Sequence, residues 1–162
     1  MGGAAMSLVL RLLGAVLLVA AGAGGGLAVY KRSYARWRKL HTFARMLGYL
    51  QGTLAYQPLR AEELLRRAAA YPEFARLGAA GCRTLAELPL PGALTPALCQ
   101  EVRQGLEQLA WEPRAGACAT LRRLTALCED AAAQCRREAQ AARSLWPRLG
   151  ACAGVLAVIL LW

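Results

Sequence analysis

Six cysteines, at 82, 99, 118, 128, 135 and 152, and one histidine, His41, are the residues here best suited to nucleophilic, redox or metal chemistry. Zinc sites and dithiol redox centres use closely spaced pairs such as C-x-x-C with matching His or Cys partners. No such pair occurs in this chain. Cys128 and Cys135 stand seven residues apart, in step with an apolar stripe, where a thiol packs as a small hydrophobe. His41 adjoins a basic run and reads as a surface or interfacial residue rather than a general base. Glu62-Glu63 and Glu129-Asp130 are adjacent pairs, so their members point about 100° apart on a helix and read as solvated faces. No G-x-x-x-x-G-K-[ST] phosphate loop is present. These residue types predict a non-enzymatic chain that needs no metal and no cofactor.

The basic run is the remaining candidate. Lys31, Arg32, Arg36, Arg38, Lys39 and Arg45 are interleaved with Tyr34, Trp37 and Phe43, a mixture able to meet nucleic-acid phosphates. Its position immediately behind an apolar segment favours another partner. Cations there set topology and face lipid headgroups, so membrane lipid or a partner protein is expected and nucleic acid is not.

The elements that position these cations follow from how charge is distributed. The 162 residues carry a net charge of +10, yet 57% are hydrophobic and the mean hydropathy is +0.31. Residues 1–61 hold eight Lys and Arg and no acid, whereas residues 62–162 balance twelve Arg against ten acids. Apolar and basic residues thus occupy separate zones. Leu12 to Tyr30 is 19 residues without a charge, about 28 Å of helix against a hydrocarbon core of roughly 30 Å. A cleaved secretory signal is the rival reading, since "VAAGAGG" offers small residues for cleavage. It would require the Lys31 cluster to cross the membrane, which dense positive charge resists.

The closing "RLGACAGVLAVILLW" ends on 14 uncharged residues, about 21 Å of helix and short for a span. Snorkelling of Arg148 adds Leu145 and Trp146 to it. Gly150 and Gly154 form a small-xxx-small pair suited to close helix packing in lipid. Arg136, Arg137, Arg143 and Arg148 all precede this run, so its leading side faces the cytoplasm as well. The expected organisation is an N-terminal transmembrane segment at 1–30, a cytoplasmic helical domain at 31–147 and a C-terminal transmembrane segment at 148–162. Both termini then lie outside.

The middle is read as all-α, a small helical bundle. Leu40, Phe43, Leu47, Leu50 and Leu54 step by 3, 4, 3 and 4, one helical face that ends before Pro58. "AEELLRRAAA" is a second helix with acids leading and arginines trailing. Pro72 opens a third through "PEFARLGAAGCRTLAEL", and Thr95-Pro96 caps and begins a fourth. A long helix from about Ala115 to Leu145 carries Leu121, Leu124, Cys128, Ala131, Cys135, Ala142 and Leu145 as its stripe. No segment alternates with period two long enough to make a strand.

The ends also carry a resemblance. "LRLLGAVLLVAAGAGGGLAVYKRSYARWRKLHTFARMLGYLQGTLAYQPL" resembles the opening of the stage III sporulation protein AB family. That family begins with a Leu-Lys/Arg-Leu-Leu-Gly membrane segment, then a basic helix and a stretch ending in Pro-Leu. Leu10 to Gly14 and Pro58-Leu59 fill those places without a gap. Arg148, Leu149, Gly150, Gly154 and Ile159 to Leu161 are similarly in step with the family's last segment. The family's Glu-Ile pair and Tyr ahead of Pro-Leu are replaced by Gln51-Gly52 and Leu54, and its central Gly-x-x-Asp stretch has no counterpart around "LEQLAWEPRAGAC". The resemblance implies a component of the secretion-like channel between mother cell and forespore, seated in the mother-cell membrane. It further implies a platform that couples the stage III sporulation protein AA ATPase and other channel proteins, without chemistry of its own.

Overall fold

A computed structural model describes the backbone of residues 2–161 and the side chains of 28–141, with positions 14, 16, 17, 20, 21, 24, 25, 143–145, 148, 149, 152, 155 and 156 besides. Five α-helices run in chain order: α1 (Gly2–Tyr56), α2 (Ala61–Ala69), α3 (Pro72–Ala75), α4 (Pro96–Gln108) and α5 (Arg114–Leu161). Two 3₁₀ turns, Ala79–Gly81 and Leu85–Glu87, lie between α3 and α4. The chain is all-α, with no strand among the described residues. It divides into two compact units, one of Met1–Tyr34 with Arg136–Trp162 and one of Ala35–Cys135.

The 35–135 unit is built on the stripes read from the sequence. Leu40, Phe43, Leu47 and Leu50 of α1 are fully buried, joined by Ala44 and Met46. Leu121, Leu124 and Cys128 of α5 are buried beside them, with Ala131 and Cys135 half-buried at the edge. Among the described residues this core contains no polar or charged side chain and no unpartnered buried polar atom. Its stability therefore comes from apolar burial, about 1.5–3 kcal/mol for each large side chain.

Where helices approach closely, the neighbour opposite is small. A Cβ on Gly105 of α4 would stand 2.9 Å from the side chain of Leu124 on α5. That distance is below van der Waals contact, so a side chain there would force the buried Leu124 to shift. Arg123 and Glu101 pair at 3.6 Å across the same two helices. At the far end of α1, Arg114 donates from Nε to the Leu54 carbonyl at 2.9 Å and from Nη2 to that of Ala55. These carbonyls belong to the last turn of α1, which has no intrahelical donors left. The first residue of α5 thus caps the last turn of α1.

The charge order expected along α2 and the cap expected at α4 are present. Glu62 and Glu63 open α2 and Arg66 and Arg67 close it, with Glu63 bonded to both arginines. Thr95 Oγ1 accepts from the Leu98 N–H at 3.4 Å, with Pro96 at the first position of α4.

The third helix is a correction. Only Pro72–Ala75 is α-helical, and the rest of the expected helix is the two 3₁₀ turns and their connections. Gly78 takes φ 92°, a left-handed conformation, and a Cβ there would meet the Pro89 ring at 2.7 Å. The chain turns at Gly78 because glycine permits it, and Pro89 closes over the turn. Phe74, Leu85 and Leu88 still reach the core, so the apolar spacing survives without the helix.

Candidate functional site

The exposed cations lie along α1. At 100° per residue, Arg32, Arg36 and Lys39 fall on one face and Lys31, Arg38 and Arg45 on another. All six are exposed. Among the described residues, none of the ion pairs includes Lys31, Arg32, Arg36, Arg38 or Lys39. Five like charges within nine residues repel one another. Between them, Trp37 stacks on His41 with ring centroids 5.5 Å apart and planes 14° off parallel. The single histidine is thereby engaged with an aromatic ring.

Arg45 departs from this set. Its Nη1 lies 3.0 Å from Glu73 Oε2, tying α1 to α3 next to the cluster of Tyr49, Tyr71 and Phe74. By sequence Arg45 belongs with the cations expected to contact a partner or the membrane surface; in the fold it pairs with Glu73, 28 residues further along the chain.

In the unit formed by the two chain ends, the guanidinium of Arg143 sits over the Tyr30 ring, 5.9 Å from its centroid. This cation–π contact was not anticipated. Its signal was available: an aromatic closes the first apolar run and an arginine precedes the second. The contact sets both runs at one level. Nineteen residues back from Tyr30 reach Leu12, about 28 Å of uncharged helix, whereas the nineteen on from Arg143 to Leu161 include Arg143 and Arg148.

The described faces of these ends are apolar. Val16, Leu17 and Val29 on α1 are exposed, as are Leu145, Leu149, Val155 and Leu156 on α5. Leu145, Leu149, Cys152 and Leu156 follow at 4, 3 and 4, a single outward stripe. Among the described residues no helix is long and apolar enough to cross a membrane. About half of 12–30 and most of 149–162 lie outside the described side chains, so the two expected spans rest on the sequence and on these exposed faces. Gly150 and Gly154, singled out for helix packing, also lie outside the described residues.

The cysteines are free thiols. Cys128 is buried, and burial first, with the Glu129 carboxylate second, pushes its thiol up to about 12. Cys82 donates to the Gly78 and Glu87 carbonyls at 3.3 and 3.4 Å, and burial with the nearby Glu87 raises it too. Both are held as thiols, the form that neither attacks nor ligates. Glu87 is shifted the opposite way, its carboxylate accepting from the Arg83 backbone N–H at 2.8 Å. Among the described residues no group of three His, Cys, Asp or Glu is placed to hold a metal ion. Compared with known proteins, the chain matches no family model, no curated protein and no solved structure.

Proposed function

We propose that the chain is a non-enzymatic membrane-anchored platform, with 1–30 and 148–162 in the bilayer and the helical bundle of 31–147 on the cytoplasmic side. The observation that carries this reading is the aliphatic exposure on α1 and α5 in the unit of the chain ends. Seven valines and leucines there are open to the surroundings. After discounting for partial exposure, leaving them in water forgoes roughly 5–10 kcal/mol of burial free energy. That is comparable to the net stability of a whole domain, about 5–15 kcal/mol. Hydrocarbon around the two helices removes the penalty, and the basic collar at Lys31–Lys39 and Arg143–Arg148 then meets the headgroups.

The resemblance at Leu10–Gly14, Pro58-Leu59 and the closing segment supports a finer reading. In it the chain is a component of the sporulation channel in the mother-cell membrane, and its bundle docks the stage III sporulation protein AA ATPase. A platform of this type needs a rigid body, an anchor and exposed charge.

Topology is tested by placing a cysteine at exposed Ala119, in a chain whose own cysteines are alanine, and adding a membrane-impermeant maleimide to intact cells. The Ala119→Cys chain should label only after the cells are permeabilised. Labelling of intact cells sinks the hairpin with its bundle inside.

A further inference from the structure

We infer that the end of the bundle where α1, α4 and α5 meet is a docking site for an acidic partner segment that inserts an apolar side chain. The inference stands on the 35–135 unit alone and does not depend on the membrane reading. A cleft of about 290 Å³ opens there, floored by Leu59, Leu64 and Leu109 and edged by Arg60, Glu112 and Arg114. Its volume lies at the lower bound of small-molecule sites and suits one aliphatic or aromatic side chain.

Two aromatics stand close in sequence to residues of the lining. Tyr56 ends α1 two residues from Leu54 and Pro58 of the lining, and Trp111 lies between Leu109 and Glu112. Tyr56 is 89% exposed and Trp111 is 90% exposed. Apart from Tyr71, the bundle otherwise buries its large apolar groups, and an exposed Trp and Tyr close in sequence to the lining of an apolar cleft have the composition of an interface hot spot. Trp, Tyr and Arg are the residues on which binding energy concentrates.

Charge selects the occupant. Arg60 is exposed and enters no ion pair among the described residues. Arg114 keeps its positive charge although its N–H groups are turned to the α1 carbonyls. The one acid, Glu112, accepts the Thr120 hydroxyl at 2.8 Å and so turns toward α5. The edge is therefore net positive, and the complementary ligand is an apolar side chain flanked by carboxylates. The α1 carbonyls and the start of α5 fix one wall through Arg114, so the cleft is formed before any partner arrives.

Full-length protein in detergent micelles is titrated into a fluorescein-labelled twelve-residue peptide with one Phe between two Glu in an Ala/Ser background. Fluorescence polarisation is compared with the Lys-for-Glu and Ala-for-Phe peptides. The acidic Phe peptide should bind, and each counterpart should bind at least tenfold more weakly. Trp111→Ala and, separately, Arg60→Glu should each weaken the acidic peptide at least tenfold with helicity unchanged by circular dichroism. No binding, equal binding of the three peptides, or indifference to both substitutions overturns the inference. So does a Trp111-dependent self-association in sedimentation, or Trp111-dependent binding to phosphatidylglycerol vesicles, without peptide binding. Those outcomes assign the face to a second copy or to lipid.

Discussion

In the 35–135 unit, every large aliphatic side chain on the facing stripes of α1 and α5 is turned inward, and the large exposed groups are Tyr56, Tyr71 and Trp111, which carry polar atoms. In the unit of the chain ends, the same two helices present Val16, Leu17, Leu149 and Leu156 outward. One helix pair thus follows two opposite solvation rules along its length. The change falls near the basic residues 31–39 on α1 and 136–148 on α5. Helices obey the hydrophobic effect relative to their surroundings, and the inverted pattern is the one that the proposed membrane anchor requires.

A central charge sharpens that contrast most. Ala21 and Val155 are exposed and lie at the middle of 12–30 and of 148–162. Arg at the centre of a bilayer helix costs roughly 2.5–3.5 kcal/mol, so Ala21→Arg with Val155→Arg should displace most of the protein from the membrane fraction. In water both changes fall within about 0.5 kcal/mol of neutral, as exposed Ala126→Arg in the bundle should. If fractionation shows no difference between the double variant and Ala126→Arg, the ends are not in lipid.

The next effect is specific to the bundle. Cys128 ionises near its ordinary value of 9.0 once unfolded, but burial holds it up to about 12 in the fold. Between those values the unfolded state has lost a proton that the folded state keeps, so stability falls as pH rises. The contribution is fully present below pH 9 and is lost progressively from about 9 to 12. Cys82, also raised, acts in the same direction. Urea midpoints at pH 8 and 10.5 should therefore fall further for the parent than for Cys128→Ala. The alanine chain starts lower by about 1–3 kcal/mol because packing is lost. Equal alkaline slopes would mean that Cys128 is not sealed in the core.

How much of this was legible depends on the range of the interactions. The stripe Leu40 to Leu50, the cap at Thr95-Pro96 and the reach of α1 to the residue pair before Pro58 are local signals, and each is in place. The segment 72–88 misled because Phe74, Leu85 and Leu88 keep an apolar spacing while Gly78 reverses the backbone beneath Pro89, a contact eleven residues away. The continuous α5 was split in expectation into a stripe ending at Leu145 and a separate tail. The cleft edged by Glu112 and Arg114 was invisible: "WEPRAG" reads only as a helix break until Arg114 is seen reaching back 60 residues to the Leu54 carbonyl.

Arg45 tests where the line between the two regions falls, with the smallest effect of the set. Sequence position puts it with the cations proposed to face lipid headgroups, while its pairing with Glu73 puts it with the bundle. Both side chains are 57% exposed, so solvent screens the pair and its worth is about 0–1 kcal/mol. Arg45→Gln should therefore shift the urea midpoint barely and leave binding to phosphatidylglycerol vesicles as it was. Arg36→Gln with Arg38→Gln should do the reverse, with no change in the midpoint and about 1 kcal/mol of vesicle affinity lost per residue. Vesicle flotation and denaturation on the same two variants separate the roles. If Arg45→Gln weakens flotation as much as the other two changes do, the basic collar extends a further turn and a half along α1, and the Glu73 contact is incidental.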